Sequence, residues 1–139
     1  MFIQIIDQLL VAFDNLQIAL TQIEILARGI DSTRFKSAQL VVRVDAKTGA
    51  WAGGANAPTI AVNLVSTWPN PQAPQTAFHG LTLATATVGV TTLAGDLLQT
   101  DTNRPLGPAV DVSLVATQAG GAATTFGGTL SVGILFYED

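Results

Sequence analysis

Catalysis and ligand binding need nucleophiles, proton carriers, metal ligands or stacking rings, and this chain holds few of them. Its single histidine, His79, stands beside Gly80 at the start of a β-type run. No serine sits in a G-x-S-x-G elbow, so a Ser-His-Asp arrangement lacks its nucleophile and His79 reads as a strand-edge or interface histidine. The chain has no cysteine, which removes thiolate metal sites, cysteine nucleophiles and disulfide staples. Without a second histidine, metal-type clusters reduce to carboxylates. Asp96, Asp101, Thr102 and Asn103 share one loop, and clustered oxygens are what calcium takes. Their spacing matches no EF-hand, however, and the same residue types make local backbone hydrogen bonds in turns. The glycine-rich segments 49–54 and 120–128 carry no Lys or Ser/Thr in Walker order and precede no helix, so neither reads as a phosphate cradle. Trp51 and Trp68 fall in expected loops, where an indole stacks on a sugar, anchors an interface, or plugs one end of the fold. No catalytic residue, no cofactor and no metal site is therefore expected, with calcium at 96–103 left open.

The elements that would position these residues divide into two grammars. Phe2, Ile6, Leu9, Phe13, Leu16, Leu20, Ile23 and Ala27 are spaced alternately four and three apart. That heptad rhythm predicts one apolar seam along a helix over residues 1–28. Ile5, Ala12, Ala19 and Leu26 widen the seam, while Asp7, Gln8, Asp14, Asn15, Thr21, Gln22 and Arg28 form the wet face. So much apolar girth calls for a trimer or larger bundle, or for another subunit as cover. The expected oligomer interface is accordingly Phe2, Ile6, Leu9, Phe13, Leu16, Leu20 and Ile23. Gly29 serves as the helix stop, and residues 31–36 as a hinge.

From Ser37 onward the period changes to two. Leu40, Val42 and Val44 alternate with Val41, Arg43 and Asp45, then Ile60, Val62 and Leu64 with Asn63 facing out. Residues 47–58 read as a loop, as do the proline-rich 68–76 and the polar 95–108. Residues 77–92 give one long bent strand or two short ones. Val110, Val112, Leu114 and Ala116 mark a further strand, and Leu130, Val132, Ile134 and Phe136 the last. The expected fold is mainly β: an N-terminal long α-helix over 1–30, acting as an oligomerisation or docking arm, followed by an antiparallel β-sandwich or jelly roll over 37–139.

Composition narrows the functional classes. Charged residues are 12% against 48% apolar, where soluble domains average roughly 25% charged. So sparse a charge predicts that much of the surface is covered by partners. A net charge of −4 with six scattered Lys and Arg argues against nucleic acid. The acids at positions 7 and 14 interrupt the first apolar run, so it reads neither as a secretory signal nor as a bilayer span.

The closing runs PLGPAVDVSLVAT and GTLSVGILFYED, joined by a Gly/Ala/Thr loop and preceded by the N-terminal arm, resemble small structural proteins of tailed-phage and related virus particles, namely capsid decoration (cement) proteins and jelly-roll head or fibre proteins. The resemblance implies a non-enzymatic virion protein, assembled in the host cytoplasm, whose partners are itself and a major capsid or other particle protein. The rival reading is a carbohydrate- or receptor-binding module on a helical stalk, with Trp51 and Trp68 as its contacts.

Overall fold

The structure, a computed structural model, describes residues 1–13, 20–51, 57–69, 77–118 and 126–138. Runs rich in Val, Ile, Leu and Thr, which suit a pleated half-buried surface, form eight strands among these residues. They are β1 (Phe2–Phe13), β2 (Leu20–Asp31), β3 (Ser37–Gly49), β4 (Thr59–Pro69), β5 (Ala77–Val88), β6 (Leu97–Asp101), β7 (Ala109–Gln118) and β8 (Phe126–Tyr137). Two four-stranded sheets result, in the orders β1-β8-β3-β6 and β2-β7-β4-β5, and all their pairings are antiparallel. Only β4 and β5 are consecutive in sequence and adjacent in a sheet; every other connection passes from one sheet to the other. This is the double Greek key of a jelly roll.

The expected N-terminal helix is absent, and the described parts of residues 1–31 are strands instead. Phe2 pairs with Leu135 and Phe13 with Phe126 along β1, while Leu20 pairs with Gln118 and Asp31 with Ala109 along β2. The helical rhythm has a physical source in the strands themselves. Register shifts fall between Gln4 and Ile6 and between Ile6 and Leu9 in β1, and at Ile25/Ala27 and Ala27/Ile30 in β2. Each bulge adds a residue, so same-face positions two apart become three apart and a period of two imitates one of 3.5. Gly29, read as a helix stop, lies in the second β2 irregularity at φ +64°, and its N–H donates to Asp111 Oδ1 at 2.8 Å. That conformation admits glycine without Cβ strain.

Three further boundaries differ from expectation. β3 continues to Gly49, β4 runs through Trp68 to Pro69, and the polar stretch 95–108 contains β6. Pro69 is tolerated because it ends its strand. Residues 77–88 form one strand, bent by irregular pairing opposite Val65.

The core lies between the sheets, where the alternation predicted it. Leu40, Val42, Ile60, Leu64, Leu114, Leu130, Ile134 and Phe136 are all buried there, each worth about 1.5–3 kcal/mol of transfer free energy. One end is closed by Phe35, stacked on Phe136 at 4.7 Å, and by Ser32, whose Oγ donates to the Gly107 carbonyl at 2.7 Å. Along one side the sheets are tied where Asn103 N–H donates to the Leu83 carbonyl at 3.1 Å.

Two glycines of β8 sit where the chain has no room for a side chain, with different surroundings. A Cβ on Gly128 would run into the backbone carbonyl of Ala46 in β3, whereas one on Gly133 would first meet the Phe2 ring. Backbone in a ladder cannot yield, but the Phe2 side chain is 55% exposed and can swing away. Gly128→Ala is therefore expected to cost about 1–3 kcal/mol in denaturant unfolding, and Gly133→Ala clearly less. Equal losses would show that the β3–β8 contact is not the tighter one.

Candidate functional site

The outer face of the β1-β8-β3-β6 sheet carries an open groove. Leu40, Val42 and Val44 point into the core, so alternation turns Gln39, Val41, Arg43 and Asp45 outward. Register brings Gly133 beside Val41, Ser131 beside Arg43 and Leu97 beside Arg43 on the other flank. Gly133 contributes no side chain, and the Phe2 ring leans over it. The result is an open groove of about 360 Å³, with Val41, Ser131 and Gly133 as part of its lining alongside Phe2, Ile6, Arg43 and Leu97.

Its polar part is a closed triangle. Arg43 Nε donates to Asp45 Oδ1, Arg43 Nη2 donates to Ser131 Oγ at 3.2 Å, and Ser131 Oγ donates to Asp45 Oδ2 at 2.6 Å. The Ser131 hydrogen bond holds the Asp45 carboxyl below its ordinary 3.8 against the opposing effect of burial, with the Arg43 guanidinium adding to the lowering. A carboxylate so stabilised is a weak proton acceptor, so the Ser131 hydroxyl gains no general base. Beside the triangle runs an amide row: Gln99 Nε2 donates to Gln39 Oε1 at 3.3 Å, and Gln39 Nε2 donates to Asp101 Oδ1 at 3.1 Å.

At the end of the sandwich where β3 finishes, Trp51 is half-buried and engaged by the chain's own groups. Its Nε1–H donates to the carbonyls of Thr48 at 3.1 Å and Gly127 at 3.2 Å, and its ring meets the Phe126 edge at 5.3 Å. The Lys47 ammonium lies 4.2 Å from the indole centroid and donates to the carbonyls of Gly89 and Thr92, each at 2.8 Å. Burial pushes the Lys47 ammonium below 10.5, with Asp96 opposing the shift. Trp68 stands on β4, its backbone opposite Phe78, and His79 stands on β5 opposite Thr67; both side chains lie outside the described residues.

The other sequence candidates are dispersed. Asp96 Oδ2 accepts the Leu93 N–H at 2.9 Å within its own turn. Asp101 accepts from Gln39 on the sheet face, and Thr102 Oγ1 accepts the Ala38 N–H at 3.1 Å. No group of three potential His, Cys, Asp or Glu ligands occurs among the described residues. Of the glycine-rich segments, residues 52–56 and 119–125 lie outside the described residues. Phe2, Ile6, Leu9 and Phe13 are on β1, and Leu20 and Ile23 are on β2. These six therefore do not share one helical seam but are divided between two sheets, and Leu16 lies outside the described residues. Among the described residues no helix is long and apolar enough to cross a membrane.

The groove was partly visible in advance, because alternation alone puts Arg43 and Asp45 on one face. Ser131, Gly133 and Phe2 join them only through pairings that span most of the chain. The strand order defines a jelly-roll β-sandwich with an open groove on one outer face. The chain matches no protein-family model and no curated protein.

Ser131 carries a testable consequence for pH. Because the folded Asp45 carboxyl titrates below 3.8, its contribution to stability is complete above 3.8 and is lost as pH falls through the folded value. Ser131→Ala is expected to return the Asp45 titration toward 3.8, as read by carboxyl NMR. It should also destabilise the protein at about pH 7 more than at about pH 2.5. A variant equally destabilised at both would remove Asp45 from the account.

Proposed function

We propose that this chain is a non-enzymatic structural subunit of a virus-type particle, a decoration, cement or shell protein that associates with copies of itself and with a major capsid or other particle protein. The observation that carries this reading is the strand order, β1-β8-β3-β6 facing β2-β7-β4-β5, an arrangement used by virus capsid domains as well as by lectins and cupins. The composition supports the particle among these: 12% charged residues suit a surface that is mostly covered. Exposed apolar side chains at Phe2, Ile25, Leu81, Leu93 and Leu97 add sites for such cover. The expected outcome for the purified chain is a defined oligomer in light scattering over a range of concentrations. A monomer at every concentration overturns the reading.

A second reading is favoured by the groove itself: a carbohydrate-binding face, with the exposed Phe2 ring as stacking platform and Gln4, Gln39, Gln99 and Arg43 as hydrogen-bonding partners. For that reading, Phe2→Ala should abolish glycan binding detected by calorimetry or on a glycan panel while the unfolding transition stays two-state. Absence of binding by the parent chain dismisses it.

A further inference from the structure

The connection from β5 to β6 crosses from one sheet to the other. Before it, Val88 is still paired with Ile60. After it, Gly95 N–H donates to the Val44 carbonyl at 2.7 Å, and Val44 N–H to the Asp96 carbonyl at 2.9 Å. Between these anchors none of residues 89–94 is buried, and a Cβ on Gly89 would meet nothing within 4 Å. The turn has internal hydrogen bonds. Gly89 N–H donates to Thr92 Oγ1 at 3.1 Å, Thr92 N–H to the Gly89 carbonyl at 3.2 Å, and Leu93 N–H to Asp96 Oδ2 at 2.9 Å. These bonds shape the turn without fastening it to the sandwich. Among the described residues, the side-chain hydrogen bonds that join it to a strand all come from Lys47 of β3.

We propose that the carbonyls of Gly89, Val90 and Thr92 and the indole of Trp51 form an ammonium-binding cradle, whose resident ligand is Lys47 of the same chain and whose occupation seats the turn. This goes beyond the structural-subunit reading and does not rest on it. The Gly89 and Thr92 carbonyls each stand 2.8 Å from Nζ and that of Val90 at 3.5 Å, while the indole centroid lies 4.2 Å away. A primary ammonium has three protons to give and accepts none, so converging carbonyls suit it. Indole is the best of the aromatic faces for a cation. A guanidinium, a flat fork, matches this arrangement poorly, and a quaternary ammonium has no proton to give. The ring is itself held, since Trp51 Nε1–H donates to the Thr48 and Gly127 carbonyls. The cradle thus has one fixed wall, the indole, and one wall that its ligand fastens, the turn. A side chain of β3 thereby sets the position of Leu93, which this turn displays at 67% exposure.

Amide hydrogen exchange of the full chain, read at Gly89, Thr92 and Leu93, tests the cradle, because exchange reports local opening. Lys47→Met keeps the length of the side chain and removes its protons. It should speed exchange at those three amides by about tenfold or more and leave the ladder amides of β3 and β8 unchanged. Lys47→Ala should behave alike. Propylammonium, which replaces the missing atoms from Cγ to Nζ, should then restore slow exchange, whereas tetramethylammonium, a cation without N–H, should not. Unchanged exchange in Lys47→Met overturns the seating of the turn. Rescue by neither cation, or equally by both, overturns the ammonium cradle. Should Lys47→Met or Lys47→Ala fail to fold, Lys47→Arg decides, since it keeps the charge and loses the fit. Faster exchange at the three amides in that variant supports the cradle, and exchange like the parent's overturns it.

Discussion

Both sheets are held together by strands that arrive last. β8 lies between β1 and β3, and β7 lies between β2 and β4. Removing that pair in thought leaves only the β3–β6 and β4–β5 pairings, and β1 and β2 lose their sheets altogether. The inward residues of the two strands, Val110, Val112 and Leu114 on one side and Leu130, Val132, Ile134 and Phe136 on the other, belong to the one buried core cluster. β8 must pass close to β3, and this is why Gly128 faces the Ala46 carbonyl with no side chain of its own. The surface groove depends on the same insertion, since it sets Ser131 beside Arg43 and Gly133 under Phe2.

The two ends and the two faces of the sandwich do different work. At one end aromatic stacking of Phe35 on Phe136 seals the core. Where β3 finishes, Lys47 gathers the 89–92 turn against Trp51 by giving its protons to backbone carbonyls. These contacts bind loops to a scaffold that strand pairing has already fixed. The outer faces carry the functional argument. One carries the groove with the Arg43–Asp45 ion pair beside it; the other carries Ser113, Asn63 and Thr85 in register, with the exposed Arg28 on its β2 strand.

The half of the chain with uninterrupted alternation was legible in the sequence. Leu40, Val42 and Val44, Ile60, Val62 and Leu64, and the inward residues of β7 and β8 all lie on the core side that period two assigns them. The N-terminal third was misread because its bulges change the face parity. Apolar residues then recur at three and four, and local pattern cannot separate a bulged strand from a helix. Its content of Ile and Val was the countervailing signal, since β-branched residues favour strands. The five-residue β6 was hidden in polar sequence because it is an edge strand with one flank on β3 and little to bury. The groove was illegible for a different reason: Phe2 and Gly133 are neighbours only after a pairing between positions 2 and 135 has formed.

That pairing also sets an order of events. Contacts between the first and last strands give the chain a high contact order, the class of topology that folds in milliseconds to seconds. During synthesis, at about 5–20 residues per second, β1 and β2 emerge many seconds before β7 and β8 exist to pair with them. Ile- and Leu-rich segments that will end as edge strands of the two sheets must wait in solution with their ladders open, a state exposed to aggregation or to chaperones. The outer face of the β2-β7-β4-β5 sheet waits for residues 109–118, and that of the β1-β8-β3-β6 sheet, with its groove, for residues 126–137.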